Sequence, residues 1–254
     1  MHPVRYLQDH PASIARAVVM TVTVIYYQKQ QGGIITAGSK SVTPSHITNK
    51  PTIDYIFTYI IGNKKTRQCA IYMNDTTSVI NSLLLDELFA GYQEVLGEDY
   101  DAYRNHCLRV FNFCCSLARK REVDLDKIAI AVFFHDLGIW TEKSFDYLPA
   151  SKLLARNYLE KKGKGEWQSE IETMIGEHHK LTRYKEHPEW LVELFRKADW
   201  IDMTGGLLRF KLKDDFVTDV LEAFPNAGFH RKLVQLAVER FKSHPLSPLP
   251  MMKL

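Results

Sequence analysis

The segment Ile128-Ala-Ile-Ala-Val-Phe-Phe-His-Asp-Leu-Gly138 constrains the fold of this 254-residue chain more than any other. An unbroken apolar run of this kind predicts an element buried on every side, yet it ends in an imidazole beside a carboxylate. A buried carboxylate without a partner is costly, so the fold has to bring a cation, a metal or strong donors to Asp136. The plainer alternative is a helix C-terminus, with His135 on the last carbonyls and Asp136 facing water.

Other segments favour convergence. His106, Val110, Phe113 and Leu117 share one helical face. Asp199 lies on an inward face with Leu191 and Phe195, and Trp167, Ile171, Met174 and His178 fall at helical spacing. Polar ligand types at the cores of successive amphipathic helices are the usual way for a bundle to bring several donors to one point. Two imidazoles and two carboxylates make a mixed N/O set suited to a divalent metal with open positions for water and substrate. No thiolate enters the set, which disfavours a closed structural zinc site.

The order Tyr103-Arg-Asn-His106, then apolar-His135-Asp136-Leu-Gly, then Lys197-Ala-Asp199 resembles the HD superfamily of metal-dependent phosphohydrolases, over roughly Met73 to Phe241. The resemblance implies an all-α, HD-domain-like helical bundle. It also implies that His106, His135, Asp136 and Asp199 are ligands of one divalent metal ion, and the donor types do not choose among Mn, Fe, Co, Ni, Mg and Zn. The activity implied is attack by metal-bound hydroxide on a small phosphorylated metabolite or nucleotide, with Asp136 and His178 as catalytic residues. His178, followed by His179, is placed to donate a proton to the leaving oxygen. Lys180 and Arg183 after the histidine pair, with Arg109 and Tyr103 around His106, are the candidate substrate-binding residues.

This chain departs from the family pattern at one position. Where many members carry Glu or Lys three residues after the aspartate, it has Ile139, which leaves Glu142, Glu177 and Asp202 as candidate bases. Two other function classes stay open. One is a di-iron oxygenase or a lyase/hydratase on the same scaffold. Besides the adjacent His178 and His179, which project about 100° apart on an ideal helix, only His187 lies between Asp136 and Asp199, so a single ion is expected. The other is a non-catalytic HD-fold binding module, against which the intact ligand set argues.

Charge is unevenly spread. Residues 1–72 hold eight Lys/Arg against two Asp, whereas the rest holds 25 Lys/Arg against 28 Asp/Glu. The basic balance therefore belongs to the first segment, and nothing in the body suggests a nucleic-acid partner. Cys69, Cys107, Cys114 and Cys115 have no metal-binding spacing, which predicts reduced core thiols and a cytoplasmic setting. No apolar run reaches the roughly 18 residues of a membrane span.

Residues 1–72 carry short β-branched runs without helical period, and are expected to be a poorly structured extension or an over-long gene model. From residue 73 to 243 the helices are expected at 78–96, 100–121, 125–138, 149–162, 166–179, 188–204, 213–223 and 229–243, with a proline-rich, fraying tail over 244–254. A natural chain beginning at Met73 predicts that protein purified from its source lacks residues 1–72 by intact mass. A native chain that retains them overturns that start site.

Overall fold

The computed structural model describes residues 79–253, all-α in character, with no strand among the described residues. The expected extension and its boundary at Met73 lie outside them. Helix α1 (Leu83–Ala90) starts at Ser82, whose hydroxyl accepts from the Leu85 amide, and α2 (Gln93–Leu96) follows after a break at Gly91 and Tyr92. One helix over 78–96 is therefore two short ones. Helix α3 (Tyr100–Ala118) and helix α4 (Leu125–Phe134), capped by Asp124, start where the sequence places them and end three and four residues earlier than expected.

The chain continues through α5 (Gly138–Thr141), α6 (Leu148–Lys161), α7 (Gln168–Glu177), α8 (Val192–Met203), α9 (Asp214–Ala223) and α10 (Phe229–Ser243). Pro149 occupies the first turn of α6, where its missing N–H is no loss. Pro188 does not open α8, which begins four residues later.

Helices α3, α4, α7 and α8 close a ring, each packed on the next and α8 packed on α3. The apolar run explains the centre: every residue from Ile128 to Phe134 is buried, so α4 has no solvent face. Helix α3 is nearly as enclosed. Its buried Asn112 meets its hydrogen-bonding needs by pairing with both backbone groups of Ile80 and with the Leu108 carbonyl, tying the entry segment to the ring. Cys107, Cys114 and Cys115 are free and buried, as expected of core thiols.

Gly138 does not end α4 but opens α5, after a turn through His135, Asp136 and Leu137. A Cβ there would lie 2.5 Å from the Tyr147 carbonyl and 3.0 Å from the Ser151 amide, both backbone atoms that cannot step aside. The tail also differs from expectation: rather than fraying, it returns to the body, where Met251 is buried and the Lys253 carbonyl accepts from the Leu181 amide. No helix among the described residues is long and apolar enough to cross a membrane.

Gly138→Ala is expected to cost about 2–3 kcal/mol by overpacking. That corresponds to a melting temperature lower by roughly 5–10 °C. Gly165→Ala, where an added Cβ meets nothing, is the neutral control. Equal melting of the two variants would show that the contact at Gly138 is not limiting.

Candidate metal centre

Each helix of the ring delivers a polar group to the same interior point. His106 comes from the middle of α3, His135 and Asp136 from the end of α4, His178 from the end of α7, and Asp199 from α8. All five are essentially inaccessible to solvent.

The ends of α4 and α7 use one device. The last carbonyls of a helix lack amide partners, and His135 Nδ1 donates to the Val132 carbonyl at 2.6 Å while His178 Nδ1 donates to the Ile175 carbonyl at 2.7 Å. A carbonyl only accepts, so Nδ1 carries the proton and Nε2 keeps its lone pair. His106 reaches the same state through Asp202, whose carboxylate accepts from Nδ1 at 2.6 Å. Burial would raise the Asp202 carboxyl, but Arg109, His106 and His230 hold it well below the usual carboxylate range.

The inward atoms then crowd together. His106 Nε2 and His135 Nε2 are 2.9 Å apart, and Asp136 Oδ2 lies 3.7 Å from the first and 3.3 Å from the second. Asp199 Oδ1 is 3.8 Å and 3.9 Å from the same two nitrogens. Burial lowers both imidazoles, His135 to about 3, so near neutral pH neither Nε2 has a proton to share. Two lone pairs facing at this distance, beside carboxyl groups, form a donor set suited to a cation.

A second group shares Asp136. His178 Nε2 lies 3.4 Å from Asp136 Oδ1, and His179 Nδ1 lies 3.6 Å from Asp199 Oδ2. His106, His135 and Asp136 are close enough to hold one ion, and so are Asp136, His178 and His179. The 100° projection expected for the histidine pair does not apply, because α7 stops at Glu177 and leaves His179 in a turn.

Asp136 Oδ1, His178 Nε2 and both Asp199 carboxylate oxygens are buried without a hydrogen bond. Burial and the neighbouring Asp136 and Asp202 raise the Asp199 carboxyl to about 8 against the pull of His178 and Arg196. Burial would also raise Asp136, but His135, His178 and His179 hold it well below its usual range. Orphaned carboxylate oxygens and inward imidazole lone pairs fit a divalent cation.

Two of the expected substrate-binding residues have their polar groups engaged within the protein. Arg109 is 1 % exposed and its guanidinium is consumed: Nε and Nη2 donate to Asp202, and Nη1 donates to the Phe224 and Pro225 carbonyls. Tyr103 is equally committed, donating to the Phe133 carbonyl at 2.6 Å and accepting from the Asp136 amide at 3.3 Å. It fixes the His-Asp turn and presents no free hydroxyl to a substrate.

Lys180 is 3.8 Å from Glu177, and Arg183 is exposed on the loop after the histidine pair. The candidate bases are elsewhere engaged: Glu142 is exposed, Glu177 pairs with Lys253 and Lys180, and Asp202 lies behind His106. His187 stacks on Trp190 at 3.9 Å, paired with Glu189 on the exterior.

Sequence reasoning missed Tyr147, whose hydroxyl lies 2.8 Å from His179 Nε2, and His230, 3.4 Å from Asp202 Oδ2. Neither sits in a motif. Its place just before the Pro149 turn of α6 marks Tyr147 only as a helix entry.

The family model described as HD domain matches residues 103–204. That span runs from Tyr103 through Asp199 and contains every member of the cluster. No curated protein and no solved structure matched the chain.

Stability of the metal-free protein should be squeezed from both sides. Asp199, raised from 3.8 to about 8, keeps its proton when folded and loses it on unfolding, so its contribution is full below 3.8 and lost as pH rises through about 8. His135, lowered from 6.5 to about 3, contributes fully above 6.5 and loses that contribution as pH falls toward 3. In chelator the melting temperature should fall between about pH 6.5 and pH 9, and added Mn²⁺ should cancel that fall by favouring ionised Asp199. A profile that is flat in chelator and indifferent to metal would contradict this account.

Proposed function

We propose, from the match of residues 103–204 to the HD domain, that the chain is a metal-dependent phosphohydrolase of that superfamily acting on a small phosphorylated metabolite or nucleotide. The observation that carries the reading is the pair of unprotonated Nε2 atoms of His106 and His135, 2.9 Å apart beside Asp136 and Asp199. We assign these four residues to one divalent ion. When bound, such an ion supplies Lewis acidity to a phosphoryl oxygen and lowers the pKa of water.

The remaining chemistry belongs to the chain. Burial would lower His178, but Asp136 and Asp199 raise it above its ordinary value, which favours a second proton, at Nε2, that the ring can pass to a departing oxygen; the lone pair there belongs to the neutral ring. Asp136 faces both halves of the cluster and orients them through its two oxygens. Tyr103 and Arg109 support the site from behind. Arg183, on the exposed loop after the histidine pair, is the side chain assigned to the substrate phosphate, with Lys180 beside it. Ile139, 4 % exposed, packs in the apolar cluster with Phe145, Tyr147 and Met251.

A two-ion form of the same reading is favoured by one observation, the membership of Asp136 in both ligand groups. Oxidative chemistry would follow only if both ions were iron.

Metal content per chain of protein purified without chelator tests the assignment. About one or two divalent ions are expected in the parent, and little in a His135→Ala/Asp136→Ala double variant. In a phosphoester screen with the metal found, the double variant should lose on the order of a hundredfold or more in rate. His178→Gln should lower kcat by roughly 10²–10⁴ with little change in KM. Parent protein that takes up no metal on reconstitution would remove the basis for the hydrolase.

A further inference from the structure

Three of the four histidines in the cluster point the same way, with Nδ1 outward on a protein acceptor and Nε2 inward. His179 is reversed: Nε2 meets the Tyr147 hydroxyl at 2.8 Å, and Nδ1 faces Asp199 Oδ2 at 3.6 Å. It is also the only cluster side chain with appreciable exposure, 11 % against at most 2 % for the others, so the mouth of the cluster lies at His179.

What holds this corner comes from the far end of the chain. The Leu181 amide donates to the Lys253 carbonyl at 2.8 Å, Lys180 and Lys253 form a parallel bridge, and Lys253 Nζ lies 2.6 Å from Glu177 Oε1. These contacts fasten both sides of the His178-His179 turn. Tyr147, 1 % exposed, packs in a separate apolar cluster with Ile139, Phe145 and Met251, the last 5 % exposed. A buried phenol needs partners for its hydroxyl, and here they are His179 Nε2, at 2.8 Å, and the Asp136 carboxylate.

We propose that Tyr147 and Met251 are positioning residues for His179, and that residues 249–253 form the fixed rim of the cluster's mouth. The Tyr147 hydroxyl proton is directed to the Asp136 carboxylate, its other polar neighbour, so the phenol oxygen is left to accept the Nε2 proton of His179 and the His179 Nδ1 lone pair is directed inward. Met251, in the same apolar cluster as the phenol ring, helps keep it in register with the histidine. Tyr147 thereby does for His179 what Val132, Ile175 and Asp202 do for His135, His178 and His106. The consequence for catalysis rests on reading the cluster as a metal centre; the positioning itself does not.

The test uses the full chain with Tyr147→Phe, Met251→Ala and the conservative Met251→Leu. Long-range ¹H–¹⁵N imidazole spectra of the metal-free proteins report the tautomer of His179, and Mn²⁺ titration reports affinity. The parent should show His179 as a single Nε2–H tautomer. Tyr147→Phe should give a mixture and weaken Mn²⁺ binding by roughly tenfold. Met251→Ala should move in the same direction, and Met251→Leu should restore the parent spectrum. If Met251→Ala does not fold, Tyr147→Phe decides alone. A His179 spectrum unchanged in Tyr147→Phe overturns the proposal. A changed spectrum with no Mn²⁺ binding even by the parent upholds the positioning role and removes the metal-centre reading instead.

Discussion

The interior of this protein is organised around two imidazole nitrogens that face each other 2.9 Å apart with no proton between them. Such an approach is unfavourable in itself, and it persists because each ring is held from behind. The Val132 carbonyl fixes one and the Asp202 carboxylate fixes the other, so neither can turn away. Helices α4 and α8 of the ring supply these two backings. Preorganisation of this kind lets an ion enter a site whose imidazole ligands are already oriented, with their proton on the outward nitrogen.

The helical plan was open to sequence reading because its punctuation is local. Asp124 and Pro149 act on their immediate neighbours, and helix starts fall close to them, whereas the break at Gly91 falls inside an expected helix. The inward placement of His106, His135, His178 and Asp199 followed from helical period, since α4 and the middle of α3 are buried all round. Period cannot say whether a polar side chain is still available once it arrives. Arg109 and Tyr103 point inward but spend their donors on Asp202 and on the Phe133 carbonyl. Tyr147 and His179 are 32 residues apart, and His106 and Asp202 are 96 apart; no local signal links either pair.

The two readings weighed for the His-Asp dipeptide were not alternatives. Imidazole has two nitrogens, and a helix C-terminus needs only one of them. His135 and His178 each satisfy an orphaned carbonyl with Nδ1 and direct Nε2 into the cluster. Placing a histidine at a helix end is thus an economical way to set its tautomer as well as its position. Asp136, one residue beyond α4's C-cap, benefits from the same turn, whose amide is fastened by the Tyr103 hydroxyl.

Asp202 shows how such a site constrains change over generations. Its two oxygens serve His106, Arg109 and His230, drawn from α3 and α10. Loss of the carboxylate leaves the Arg109 guanidinium buried without its counter-charge, a penalty on the order of 3–5 kcal/mol. Loss of Arg109 alone strands the carboxylate in the same way. Neither residue can be replaced first without crossing that barrier, so in diverging copies of this chain Arg109 and Asp202 should be kept together or exchanged together. His230, partly exposed, is the member free to drift.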